Sequence, residues 1–286
     1  MSDGPKIKAI APWFGGNRLL AAAVGEELAG SRWVGIPFAG GMPELLYVDA
    51  ATIIVSDVHR HIINLANVLK DPYMGVRLIR RLKREAYHPD TLHESQAWCK
   101  QHDYRPAEDC RDVEAARHYF VCVWMGRSGV AGGGDEFCGS TAQRWNANGG
   151  DSNTRYRSAI SSMAAWRRIL QRCNFVVEDC FDFLANTKDE RTNAIYCDPP
   201  FPDTGERYKH KFTAAQHRQL PGVLAAFTSA RVVCRFYNHP LIRELYPEGV
   251  WTWRRLQGRK QTNAPAREVL LINGPSYAEP SHPTLF

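Results

Sequence analysis

Asp198-Pro199-Pro200-Phe201 is the tetrapeptide of this chain best equipped for chemistry. It directly follows Ala194-Ile195-Tyr196-Cys197, an apolar run that reads as a strand. Two consecutive prolines fix φ and remove two backbone donors. What remains is a stiff turn that offers acceptors, the Asp198 carboxylate and the Pro199 carbonyl, with the flat face of Phe201 beside them. An exocyclic amino group on a nucleobase is a poor nucleophile, because its lone pair is delocalised into the ring. Two acceptors can bind its two N–H bonds and favour a pyramidal nitrogen, while an aromatic ring stacks on the base. An electrophile that already carries a positive charge, as a sulfonium does, needs little acid–base help, and positioning does most of the work. Asp198 could accept the departing proton or shield it. The plain alternative for these residues is an Asx-type turn.

Two further segments carry ligand-binding character. Pro37-Phe38-Ala39-Gly40-Gly41 follows another apolar run, and glycine lets a backbone approach a ligand closely. The pattern is not GxGxxG, so a dinucleotide pyrophosphate site is not indicated. Asp57 stands 19 positions after Phe38, near the offset of about 20 at which an acid meets a ribose hydroxyl in nucleotide-binding α/β folds. Ribose binding without a phosphate cradle points to a nucleoside-type cofactor; the alternative role for Asp57 is a helix cap. Pro12-Trp13-Phe14-Gly15-Gly16-Asn17-Arg18 sets aromatics beside two glycines, as a ligand wall or as an anchor for the terminus.

The elements that must position these residues read as alternating strands and helices. Strands are expected over 32–38, 52–57, 174–179, 194–197, 230–237 and 267–273, and helices from Val58 to Asp71 and over 158–171. This is the pattern of a doubly wound α/β sheet, whose ligands bind at the carboxyl ends of strands. The middle of the chain differs. Residues 72–118 are charged and helical in character, and 126–157 are rich in Gly, Ser and Asn. Such a polar stretch is a functional loop region or a disordered segment. Its Arg127, Arg144, Trp145, Arg155, Tyr156 and Arg157 interleave cations with aromatics, which suits nucleic acid, or they decorate a surface insertion. We therefore divide the chain into 1–71 with 158–286, a binding and catalytic domain, and 72–157, an inserted region.

The 286 residues are 44% hydrophobic and 23% charged, which excludes a fibrous or disordered chain, and the net charge of +6 permits a polyanionic partner. Basic clusters stand at Arg77, Arg80, Arg81, Lys83 and Arg84 and at Arg254, Arg255, Arg259 and Lys260; a solvated helix face is the simplest reading of either. None of the eight cysteines forms a CxxC pair, so a zinc site is not expected, and His59 with His61 read as capping or surface residues more readily than as a metal pair. No run reaches the roughly 18 apolar residues of a membrane span, and the first residues lack a signal-peptide core. A cytoplasmic protein with no membrane partner is expected.

Taken in order, Pro12 to Gly16, Pro37 to Gly41, Asp57 and Asp198 to Phe201 resemble the Dam-type DNA adenine N6-methyltransferases. The likeness extends patchily over 11–71 and 116–273. It implies a Rossmann-like methyltransferase sheet, S-adenosyl-L-methionine as donor, and the N6 amino group of a flipped adenine in double-stranded DNA as acceptor. It further implies that 72–157 is a mainly helical target-recognition domain. Trp13, Phe14, Gly15, Gly16 and Asn17 would line the methionine end of the cofactor, and Pro37, Phe38, Ala39, Gly40 and Gly41 would pass beneath it. Asp57 would hold its ribose and Asp179 would face its adenine. Asp198, Pro199, Pro200 and Phe201 would form the catalytic corner, and Tyr208, Lys209, His210 and Lys211 a loop that closes near DNA. The chain departs from the family pattern in having Met42 for a third glycine, Asn17 for a lysine and Phe201 for a tyrosine. The resemblance is compatible with a monomer or a weak dimer on DNA and with a restriction-modification context. Competing readings are methylation of cytosine N4, an RNA base or glutamine, and a non-catalytic DNA-binding protein with a degenerate cofactor site.

Overall fold

The β-branched run Thr52-Ile53-Ile54-Val55-Ser56 forms one strand of a seven-stranded sheet. A computed structural model describes residues 4–16, 18–102, 111–126, 131–141, 151–203, 205–259 and 265–278. In chain order the elements are α1 (Ala21–Glu27), β1 (Trp33–Ile36), β2 (Thr52–Ser56), α2 (Arg60–Lys70), α3 (Met74–Arg84), α4 (Pro89–Gln101), α5 (Val113–Met125), α6 (Ser152–Leu170), β3 (Cys173–Val176) and α7 (Cys180–Asn186). They continue with β4 (Asn193–Cys197), α8 (Ala214–Ala225), β5 (Arg231–Tyr237), α9 (Pro240–Leu245), β6 (Thr252–Arg259) and β7 (Pro265–Ile272).

The strand order is β3-β2-β1-β4-β5-β7-β6. The first five strands run parallel, and β7 lies antiparallel between β5 and β6. The chain moves outward from β1 to β2 and β3, then returns to place β4 on the other side of β1. Neighbouring connections therefore diverge at β1 and β4, which opens a crevice beyond their carboxyl ends.

Side chains alternate across the pleat, so the central strands feed two cores. Val34, Ile36, Ile53, Val55, Ala194 and Tyr196 join apolar residues of α2 to α6. Ile195, Cys197, Val232, Cys234 and Phe236 join α7, α8 and α9 on the other face. Helix starts follow local polar signals: Asp112 accepts from the backbone of Glu114 and Ala115 at α5, and Thr213 with Gln216 makes a capping box at α8. On α3, Leu78 and Leu82 point inward while Arg77, Arg80, Lys83 and Arg84 are exposed. Helices α3 and α5 pack on α2 and α6, and α4 packs on α5, within the first core.

Some expected boundaries shift. Helix α6 begins at Ser152, so position 157/158 falls inside it. The basic cluster around Arg254 is not a solvated helix face. It lies on β6, where Arg254 is buried against Glu26 and Glu27 of α1 and Arg255 pairs with Glu248; Lys260 lies outside the described residues. Among the described residues no helix is long and apolar enough to cross a membrane.

Candidate active site

The corner after β4 is tied to its neighbours by one arginine. Asp198 keeps about 19% of its side chain exposed, and Nη1 of Arg235 on β5 donates to both its oxygens, at 3.1 and 2.9 Å. The same nitrogen donates to the Gly15 carbonyl at 3.0 Å, and Nε and Nη2 of Arg235 each reach Oε2 of Glu268 on β7 at 2.6 Å. Arg235 and Glu268 are buried. Burial raises the proton affinity of the Asp198 carboxyl above its ordinary value, and Arg235 offsets this in part. Pro199 is buried and Pro200 faces the cleft. Phe201 is not among the cleft walls: its ring packs edge-on to Tyr237 at 4.4 Å, with the Arg235 guanidinium 5.0 Å from its centroid. The open stacking face expected of Phe201 is thus occupied by Tyr237, because the ring completes the second core.

A cleft spanning about 840 Å³, open solvent included, runs from this corner to the turn after β1. Pro37, Phe38, Ala39, Gly40 and Gly41 form its floor together with Trp13, Phe14, Gly15 and Gly16, and Asp57, Asp179 and Asp198 all border it. Gly40 has φ +49°, and its N–H donates to Asp57 Oδ2 at 3.2 Å; Asp57 Oδ1 accepts from the His59 N–H at 2.9 Å. Asp57 therefore braces the glycine turn as well as lining the cleft, and burial raises its pKa. A Cβ at Gly41 would meet the Ala11 carbonyl at 2.9 Å, and one at Gly132 would meet the Trp13 ring at 2.5 Å. These glycines let the indole of Trp13 lie against the turn. Asp179 caps α7 by accepting from the Phe181 N–H at 2.8 Å. Met42, in the third-glycine position, has φ 60° and is fully buried.

A polar knot closes one wall. Glu136, 1% exposed, accepts from His59 Nε2 at 2.9 and 3.1 Å, from Lys209 Nζ at 3.0 Å and from the Gly132 N–H at 2.9 Å. Burial alone would raise its pKa, but His59, Lys209 and this amide hold it down at about 2. The knot joins the segment 131–141 to the loop after the Asp198 corner. There Tyr208 donates to the Phe14 carbonyl at 3.0 Å, and Lys211 borders the cleft.

The other expected contact residues separate. Arg155 is exposed, with its guanidinium 5.5 Å from the Trp124 ring. Arg157 donates to the Lys83 and Glu85 carbonyls and so clamps α6 to α3. Tyr156 is fully buried between Phe120 and Tyr87, so it is a core residue with no ring face for a base. Asn17, Arg127, Arg144 and Trp145 lie outside the described residues. Sequence reasoning missed Arg235, Glu268 and Glu136. Arg235 and Glu268 did leave a signal, since each is a charge set directly against an apolar run of its strand, and buried charges come in pairs. No group of three or more metal-ligating side chains occurs among the described residues.

The cleft thus lies at the carboxyl ends of parallel strands in a mixed α/β fold, where such folds bind their ligands. A family model, D12 class N6 adenine-specific DNA methyltransferase, matches residues 13–248. The chain belongs to this family, and its activity is methylation of adenine N6 in DNA. A comparison with curated proteins finds no match.

Proposed function

We propose that the chain takes its methyl group from S-adenosyl-L-methionine held in the cleft, and transfers it to an adenine rotated out of duplex DNA. The observation that supports this reading is the continuity of the cleft from the glycine turn after β1 to Asp198 after β4. The cleft fits such a cofactor chemically. Apolar walls at Phe38, Val58 and Phe212 suit a nucleoside, Asp57 and Asp179 offer acceptors for ribose and adenine, and the close-packed glycines leave room for a methionine tail. When bound, the cofactor supplies a methyl group on a sulfonium. Asp198 and the Pro199 carbonyl accept the two N–H bonds of the target amino group and orient its lone pair. Closing the wall at Glu136 and Tyr208 excludes water, which strengthens these polar contacts.

We read the sheet as a doubly wound Rossmann-like frame, with 1–71 and the chain from the start of α6 (152–286) as the catalytic part and 72–151 as the target-recognition region. Exposed Arg77, Arg80, Lys83 and Arg84 on α3 and Arg155 on α6 are assigned to phosphates. The test is Asp198→Ala. The variant should remain folded and bind S-adenosylmethionine while methyl transfer to an adenine-containing duplex disappears. Near-normal transfer by that variant overturns the reading.

A further inference from the structure

We propose that Arg235 is a positioning residue for methyl transfer, fixing the Asp198 carboxylate in one orientation at the catalytic corner while Glu268 holds the guanidinium from behind. The inference rests on the reading of Asp198 as the group that binds the target amino group.

The sheet register builds this arrangement. Cys197 of β4 pairs with Cys234 of β5, so Asp198 and Arg235 are the next residues along adjacent parallel strands. Tyr237 pairs with Glu268 across the antiparallel β5–β7 ladder, which makes Glu268 a diagonal, same-face neighbour of Arg235. The guanidinium then divides its donors. Nε and Nη2 are spent on Glu268, while Nη1 serves both Asp198 oxygens and the Gly15 carbonyl. A carboxylate has about four acceptor sites, and one nitrogen shared between its oxygens, together with the Tyr196 side chain, still leaves acceptor capacity toward the cleft. Arg235 thus anchors Asp198 without consuming it. Through Gly15 it also ties the corner to the aromatic–glycine segment that forms the cleft floor.

The charges are arranged for the same purpose. Glu268 shares the Arg235 guanidinium with Asp198, which borders the cleft. The groups that face Asp198 are the Tyr196 hydroxyl and Cys197 thiol on its own strand, Arg235 and Tyr237 on β5, Glu268 on β7 and Tyr208 in the following loop. Arg235 supplies the cation among them. Burial already favours the protonated acid at Asp198. Removing Arg235 raises that proton affinity further, and a protonated carboxyl accepts fewer N–H bonds.

Single-turnover methylation of a duplex is measured against pH for wild type, Arg235→Lys, Arg235→Met and the double variant Arg235→Met/Glu268→Gln. The double variant leaves no unpaired buried Glu268 charge and serves if Arg235→Met fails to fold. Melting and S-adenosylmethionine binding are measured alongside. We expect the Met variants to lose about 10- to 100-fold in rate, the range of a lost charged hydrogen bond, with little change in KM for DNA. The acid limb of the profile should move up by about one to two pH units. Arg235→Lys, which restores the charge but not the fork, should return the limb toward wild type and recover only part of the rate. A folded Met variant with wild-type rate and acid limb overturns the inference. Asp198→Asn separates the two claims. If it is inactive while the Arg235 variants behave as wild type, the inference alone falls; if it turns over normally, the reading of Asp198 falls as well.

Discussion

Glu136→Gln tests whether the polar knot holds the cleft wall in place. The carboxylate is 1% exposed and receives His59, Lys209 and the Gly132 amide. Its pKa of about 2 lies below the ordinary value of 4.5, and this difference corresponds to about 3 kcal/mol of folded-state preference for the ionised form. The sign follows from the direction. A depressed carboxyl pKa stabilises the fold above the unfolded value, and the contribution fades as pH falls from 4.5 toward 2. Glutamine keeps the shape but gives up the charge, so the variant should be about 3 kcal/mol less stable at pH 7, of the order found when buried pairs are broken. Urea unfolding of both proteins at pH 7 and in steps below pH 4.5 reads the gap directly. Amide exchange should rise first in 131–141 and 205–213, and S-adenosylmethionine affinity should fall, because Gly132 and Tyr208 line the cleft. A gap below about 1 kcal/mol at pH 7, the value of an exposed pair, or one that stays constant down to pH 3 would refute the argument.

Gly41→Ala should weaken S-adenosylmethionine binding by about tenfold or more, because the new methyl group must displace the Ala11 carbonyl and shift the turn; calorimetric titration of the variant measures it. Glu27→Gln should lower unfolding stability by about 3 to 5 kcal/mol, since this buried acid joins Arg231, Arg254, Ser276 and the Tyr277 N–H. Its methylation rate, measured below the melting transition, should stay near wild type because the cluster lies away from the cleft walls.

The sheet was legible wherever burial on both faces produced β-branched runs, as in Thr52–Ser56 and Arg231–Tyr237. Strand β6 was not, because Thr252–Arg259 is rich in charge. Arg254 tolerates burial only through acids on α1, more than two hundred residues earlier. The start of α6 was hidden because Asp151 and the first helical turns are polar and exposed, while Tyr156, taken for a surface aromatic, supplies the apolar anchor. The cleft-lining motifs could be read because each is local. The knot at Glu136 and the triad at Arg235 could not, since they join side chains that only the folded sheet brings within 3 Å. Met42 explains one departure from the family pattern. Its left-handed backbone costs about 1 to 2 kcal/mol outside glycine, and complete burial of its side chain returns about as much or more.

The placement of β7 sets an order of events during synthesis. Ribosomes release chain from the amino end, so Trp13, Gly40, Asp57 and Asp198 are all available to fold before residues 265–272 appear. Until then β5 and β6 have no strand to join them, and Arg235 has no acid behind it. A nascent chain therefore displays its whole series of motifs while the guanidinium that grips Asp198 still lacks its second carboxylate, and the triad is complete only once the β6–β7 hairpin has formed.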